Sequence, residues 1–254
     1  KGILGSSWAG LKYFQEFFSS IYAGRTIRNT LLISLYSLLW GFPAPIILAL
    51  LLNEIRNVHF KKIVQTVTYL PHFISLIVVC GLIVNFCQQQ GLFNNIITFF
   101  GGQRILFLQQ PEWFRTIYIS SGIWQGIGWG SIIYLAALSG IDQELYEAAA
   151  IDGANRWKQT IHVTLPGIAP TIIILLIMNI GHLMSVGYEK VILLYNPLTY
   201  TTADVISSFV YRVGLQQFNY SYATAVGLFN SLVNLALLVG ANAVSRKVNE
   251  VSLW

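Results

Sequence analysis

Five long apolar stretches, residues 30–52, 66–86, 113–139, 168–194 and 223–244, alternate with shorter polar segments along the 254-residue chain. Each exceeds the ~20 residues that an α-helix needs to cross a hydrocarbon core of ~30 Å. A soluble protein would have to bury five such runs at once, and the pattern excludes that class. An all-α, polytopic helical membrane protein is predicted. Pro43 and Pro45 should kink or locally open the first of these helices, because proline offers no N–H to the turn before it. Gly122, Gly126 and Gly130 recur every fourth residue in the third, a spacing that lets another helix approach closely.

Composition agrees with the pattern. Hydrophobic residues make up 55% of the chain and charged residues 10%, whereas soluble domains average about 25% charged. The net charge of +5 is no nucleic-acid footprint, since the Lys and Arg residues are scattered through the loops without a nucleic-acid motif. Cys80 and Cys87 fall in one predicted helix. Their separation along it, ~10 Å, is too long for a disulfide, so they are read as packing residues. No secretory signal is visible.

One segment breaks the apolar pattern. Asp142, Glu144, Glu147, Asp152, Arg156 and Lys158 crowd together in a chain with only 15 Lys and Arg and 10 Asp and Glu. Such an insert must lie outside the bilayer, where a soluble partner can reach it. Asp142 is placed to cap a helix running through Glu144, Tyr146 and Ala150, with acidic residues favourably near its N-terminus. Gly153 breaks that helix and permits positive φ. A second short helix then carries Arg156, Trp157 and Lys158 as far as Pro166. Ala148 and Ala149 keep one surface thin enough for a partner backbone, and Glu147 offers it a carboxylate.

The spacing reads Glu147-Ala148-Ala149, three residues, Gly153, nine residues, the aliphatic Val163, one residue, then Leu165-Pro166. It resembles the cytoplasmic EAA loop of ABC importer permeases. The resemblance implies a type I ABC importer transmembrane fold. It also implies that loop 140–167 docks into a groove on an ATP-hydrolysing subunit through Glu147, Ala148, Ala149, Asp152, Gly153, Leu165 and Pro166. Further motifs resemble the carbohydrate branch of these permeases, in particular the LplB-like oligosaccharide and polysaccharide group. They are Gly91-Leu92-Phe93-Asn94, Phe107 to Trp113, Tyr188-Glu189-Lys190, Leu194-Tyr195-Asn196-Pro197, Thr201-Thr202-Ala203-Asp204-Val205 and Ser252-Leu253-Trp254.

At the start, Trp8, Gly10, Leu11, Phe14, Asn29 and Thr30 resemble the external segment between the first and second spans of sugar permeases, with Tyr13 where Asn is usual. The resemblance implies that five spans are present and a first is missing. Residues 1–29 are then an external amphipathic segment, with run 11–18 along the outer interface and its aromatic side chains in the headgroup region. Residues 30–254 form the permease domain. With the Glu147 loop cytoplasmic, Arg56, Lys61, Lys62, Arg156, Lys158, Arg246 and Lys247 lie inside. Lys1, Lys12, Arg25, Arg28, Arg104, Arg115, Lys190 and Arg212 lie outside. The positive-inside rule favours this orientation only once the first 29 residues are set aside.

Polar residues within the spans are costly against lipid and should face the bundle interior or a water-filled path. Gln125 and Trp129 are four apart, as are Asn230 and Asn234, while Asn179, His182 and Glu189 share one predicted helical face. These seven are the candidate substrate path. Amide and carboxylate groups suit sugar hydroxyls, and Trp124, Trp129 and Tyr188 offer faces for pyranose rings. Helix–helix hydrogen bonding is the other reading of the same residues.

The sequence contains no GxxxxGK[ST] loop, no HExxH, no Cys/His metal set and no GxSxG elbow. Catalytic and metal-binding residues are therefore not assigned, and no cofactor is expected in this chain. The resemblance implies ATP and Mg bound by two ATP-binding subunits inside, a second homologous permease, an extracytoplasmic solute-binding protein and an oligosaccharide substrate. The site implied is a bacterial cell membrane, crossed several times and contacting lipid, with no nucleic acid involved. Two alternatives stay open: an ion-coupled secondary transporter using Glu189 or His182, and an ABC permease for a non-sugar solute.

Overall fold

The computed structural model describes residues 7–249 as helices joined by short turns, with no strand among them. The closing Ser252-Leu253-Trp254 motif, Lys1 and the rest of residues 1–6 lie outside the described residues. In chain order the helices are α1 Lys12–Ser19, α2 Ile21–Tyr36, α3 Pro43–Glu54, α4 Val58–Tyr69, α5 Leu76–Phe86, α6 Leu92–Phe99, α7 Pro111–Ser139, α8 Gln143–Ile151, α9 Arg156–Gln159, α10 Leu165–Gly181, α11 Tyr188–Leu194, α12 Tyr200–Ala203, α13 Ile206–Tyr211 and α14 Tyr220–Asn249.

Three helical runs are long and apolar enough to cross a membrane: Ile21–Glu54, Arg156–Gly181 and Tyr220–Lys247. A fourth is added if Val58–Phe73 and Leu76–Phe86, bent by 102° at their junction, count as one span. The predicted third span, α7, has the length at 29 residues. Its glycines, serines and Gln125 make it less apolar than the others. Only 17% of the apolar window of each of the three spans is buried within the chain, which leaves the rest for lipid or another subunit.

Two proline-bearing spans solve the same problem in the same way. A π-helical turn, Ser37–Gly41, precedes Pro43, and another, Thr160–Thr164, precedes Pro166. The widened turn absorbs the hydrogen bond that each proline cannot donate, so the helix continues through it. Helix is thereby continuous from Ile21 to Glu54 and from Arg156 to Gly181, each run starting ahead of the apolar stretch predicted there. The fourth also ends early. Helix α10 stops at Gly181, a turn follows, and α11 is a separate helix.

By contacts the chain forms two compact units, residues 7–35, 82–118 and 182–236, and residues 36–81, 119–181 and 237–249. The first unit has an aromatic core. Phe17 of α1 is buried and packs beside Phe209, Tyr222 and Phe229, so this ring of the amphipathic run sits in protein and not in the headgroup region. Trp8 and Leu11 are exposed. The loop motifs of this unit are internal ties. Asn94 donates to the Gln88 and Ile105 carbonyls and accepts from the Ile105 N–H. Asn196 donates to the Leu108 carbonyl, and Thr202 to that of Pro111.

The second unit packs Ala49, Tyr134, Leu138, Ile141 and Ile168 into an apolar core joining α3, α7 and α10. Helix α7 meets the 68–75 region with almost no gap. A Cβ on Gly128 would overlap the Thr68 carbonyl, and one on Gly130 would lie 3.0 Å from Pro45. Gly126 faces open space. Of Gly126, Gly128 and Gly130 the closest approach is at Gly128, which stands outside the predicted four-residue repeat. Neither Cys80 nor Cys87 forms a disulfide, and both are buried.

Candidate functional site

The polar insert folds much as its caps dictate. Asp142 accepts from the Glu144 N–H at 3.0 Å and starts α8. Gly153 takes φ +74° after its end, a left-handed conformation that L side chains rarely adopt. Asn155 then accepts from the Lys158 N–H at 2.9 Å and starts α9. Two contacts brace this loop on the core of the second unit. Tyr146 Oη lies 3.0 Å from Thr164 Oγ1, and Ile141 fills the space left by the missing side chain of Gly167.

Glu147, Ala148, Asp152 and Gly153 are exposed and Ala149 is half-buried, all within the α8 turn. Leu165 and Pro166 stand apart from them, in the first turn of α10, where they belong to the membrane helix. Beside the exposed acids the loop carries apolar side chains that the sequence reading did not single out for docking. Ile151 is 87% exposed and Trp157 72%, with Leu145 also exposed. These three side chains leave apolar surface on a polar loop uncovered by the chain itself. Arg156 lies 3.8 Å from Glu54, a solvent-exposed pair of small worth.

The candidate path residues separate into two groups. In the second unit, Gln125 donates to the Ile74 carbonyl at 3.4 Å, and Trp129 stacks on His72 at 4.5 Å. Both serve the broken turn between α4 and α5. Asn179 donates back to Leu175 of its own helix. In the first unit, Asn234 accepts from the Met184 N–H at 2.9 Å and donates to Ser185 Oγ at 2.8 Å. It thus holds the turn that follows exposed His182. Asn230 has its Oδ1 buried without a hydrogen-bond partner. Glu189 is exposed at the start of α11. Because α10 ends at Gly181, the face predicted to unite Asn179, His182 and Glu189 does not exist. The chain leaves the helix between them, and Asn234 caps the departure.

The most concentrated electrostatics lie elsewhere in the first unit, around Asp204. Its side chain is 0% exposed. It accepts from Arg212 at 2.7 and 3.1 Å, from Arg25 at 3.2 Å and from Ser208 at 2.9 Å. Burial alone would disfavour the Arg212 charge, but the bonds to Asp204, helped by Tyr195, outweigh it and raise its pKa. Asn29, also buried, donates to the Thr201 and Asp204 carbonyls and accepts from Arg115 at 3.0 Å. A cavity of about 500 Å³ opens beside this cluster, lined by Arg25, Arg28, Arg115, Asn29, Thr201 and Thr202 among others. The only sequence signal for it was the surplus of arginines on the outer side.

Comparison with known proteins places this geometry. Residues 21–250 match the family described as binding-protein-dependent transport system inner membrane component. Protein LplB of Bacillus subtilis (strain 168) is 44% identical over 254 residues, which is all of this chain and 80% of that protein. The polygalacturonan/rhamnogalacturonan transport system permease protein YteP of the same organism is 46% identical, again over the whole chain and 79% of the relative. The fold is similar to the crystal structure of a bacterial ABC transporter involved in the import of the acidic polysaccharide alginate. The TM-score is 0.94 at 49% identity, covering 97% of this chain and 86% of that one. The EAA spacing, the helical fold and these matches agree: the chain belongs to the binding-protein-dependent transport system inner membrane component family and is a transmembrane permease subunit of an ABC importer.

Proposed function

We propose that this subunit imports acidic oligosaccharides or polysaccharide fragments across a bacterial cell membrane, paired with a second homologous permease. Two ATP-binding subunits, which hold ATP and Mg, dock on loop 140–167 from the cytoplasm. The observation that carries this reading is the loop itself: the short helix α8, braced against the start of the Arg156–Gly181 run, presenting bare Ile151 and Trp157 beside Glu147. A solute-binding protein delivers the sugar from outside. The related alginate importer has also been crystallised in complex with an alginate pentasaccharide-bound periplasmic protein, and this chain matches it with a TM-score of 0.94. The acidic character of the sugar is carried over from that importer and from YteP.

Coupling follows from the bracing. Closure of the ATP-binding subunits displaces α8, and the Tyr146–Thr164 and Ile141–Gly167 contacts pass the displacement to α10 and α7 as one body. Alternating access is the response of those spans. The chain on its own should hydrolyse no ATP, and activity should appear when the ATP-binding subunits are co-expressed. In the reconstituted complex, Glu147→Ala removes a charged contact worth about 1.5–3 kcal/mol at a docked interface. Gly153→Val forces a β-branched residue into positive φ. Both should lower substrate-stimulated ATPase and uptake about ten-fold or more with normal membrane insertion. Wild-type coupling in both variants would mean that the loop is a solvated hairpin. Uptake in ATP-free vesicles driven by a proton or sodium gradient would overturn the ABC mechanism.

A further inference from the structure

Helix α6 is packed inside out. Leu92, Phe93, Ile96, Phe99 and Phe100 follow one another at the spacing that puts them on a single stripe of an α-helix. All five are exposed, and the stripe is barest at its far end, 84% at Phe99 and 81% at Phe100. Asn94, Asn95 and Thr98 make up the other side of the helix. The fully buried residue of α6 is Asn94, so the helix is held to its unit by its polar side and bares its apolar one. A helix resting on a protein core in water does the opposite.

The turns around α6 are closed by their own groups. Three successive carbonyls accept from side chains: Gln88 from Asn94 at 3.0 Å, Gln89 from Arg104 at 2.7 Å and Gln90 from Asn95 at 3.2 Å. At the other end the Gly101 and Gly102 N–H groups bond to the Thr98 and Ile97 carbonyls at 3.0 and 2.8 Å. A turn bathed in water needs no such closure. One at the edge of hydrocarbon does, because lipid tails offer the peptide groups no partner. Aromatic rings tie the stripe to the membrane helices on either side. Phe93 lies 6.0 Å from Phe86, the last residue of α5, and 6.3 Å from Phe107, which meets Trp113 near the start of α7 at 5.1 Å. Interfacial helices sink a Phe- and Leu-bearing face of this kind to the boundary of the acyl chains. Between residues 87 and 110 the one charged side chain is Arg104, which gives a docking protein little charge to pair with and lipid little charge to desolvate.

We infer that α6 lies in the headgroup layer of the outer leaflet with its five apolar side chains sunk toward the acyl chains, the place the sequence had suggested for run 11–18. The sidedness rests on the proposed orientation: with loop 140–167 in the cytoplasm, α7, 29 residues and about 44 Å long, brings its start at Pro111 to the outer side. The test uses the permease–ATPase complex in nanodiscs, spin-labelled at Phe99→Cys, Phe100→Cys or Thr98→Cys. Cys80 and Cys87 are buried and stay in place, and the unsubstituted complex measures any label they take up. Labels at 99 and 100 should collide more with dissolved oxygen, which concentrates in lipid, than with a water-soluble nickel chelate. The label at 98 should show the reverse. A chelate preference at 99 and 100 matching that at 98 would put the stripe in water and overturn the inference. Exclusion of both probes there, with the importer alone or with its solute-binding protein bound, would mean that a protein covers the stripe, and overturns it equally. A membrane-impermeant maleimide should reach Thr98→Cys from outside intact cells. Reaction only after lysis would refute the outer leaflet and the proposed orientation together, while the collision ratios still decide the lipid contact.

Discussion

Asp204→Asn tests the electrostatic centre of the first unit. The replacement keeps the shape of the side chain but removes its charge, and the NH2 group points a donor at guanidinium donors. Asp204 is fully buried and Arg212 is 16% exposed, so water cannot take over the lost pairing. Breaking a buried ion pair by deleting one partner costs about 3–5 kcal/mol. At roughly 2–4 °C per kcal/mol for a chain of this size, the apparent melting temperature should fall by about 10 °C. The assay is tryptophan-fluorescence melting of the purified complex, since the chain contains 7 Trp. Asp204→Asn combined with Arg212→Met should regain at least half of the loss, because only the partly exposed Arg25 is then left without its carboxylate. Raising the salt concentration should not reproduce the defect, as buried pairs are poorly screened. A single variant within about 2 °C of wild type, or a double variant no better than the single, would refute the argument.

Gly128→Ala should destabilise by at least the ~1–3 kcal/mol typical of overpacking, since its methyl group meets the Thr68 carbonyl, whereas Gly126→Ala should be neutral because nothing lies within 4 Å of its Cβ. Equal melting temperatures for the two variants would show that α7 yields at Gly128. Asn234→Leu removes the acceptor of the Met184 N–H and the donor to Ser185, at a cost of about 1–3 kcal/mol. Hydrogen exchange across residues 182–187 should then accelerate while α10 stays protected. Unchanged exchange there would make Asn234 incidental to the turn.

What could be read from the sequence was local. Asp142 and Gly153 each act through neighbours within a few residues, so the first helix of loop 140–167 and its end were visible in the order of residues alone, whereas the cap at Asn155 was not picked out. The spans were visible as hydropathy but their ends were not. Apolar residues lie on both sides of the break after Phe73 and of Gly181, and the backbone groups there are bonded by Gln125 and Asn234, which lie about 50 positions away. The arginine cavity was beyond reach for the same reason, amplified. Arg25 meets Asp204 across 179 positions and Arg115 meets Asn29 across 86. Residue type hinted at the cavity only through basic side chains on the side where few are expected. Ile151 and Trp157 were legible in kind but not in exposure, because an apolar residue in a short helix is as often an anchor into its own core.

The fracture between α4 and α5 has a consequence for how the chain is made. Val58–Phe73 is 16 residues and Leu76–Phe86 is 11, turned 102° from each other. At 1.5 Å per residue they reach about 24 and 16 Å, so neither half alone crosses a ~30 Å core. The peptide groups at the bend cannot be left to lipid, and the side chains that meet them, Gln125 and Trp129 with Gly128 between, are all in α7. Helix α7 leaves the ribosome some 40 residues later. The bent pair is therefore a debt incurred early in synthesis and settled late: until α7 arrives, the peptide groups of that bend need water or another protein to bond to.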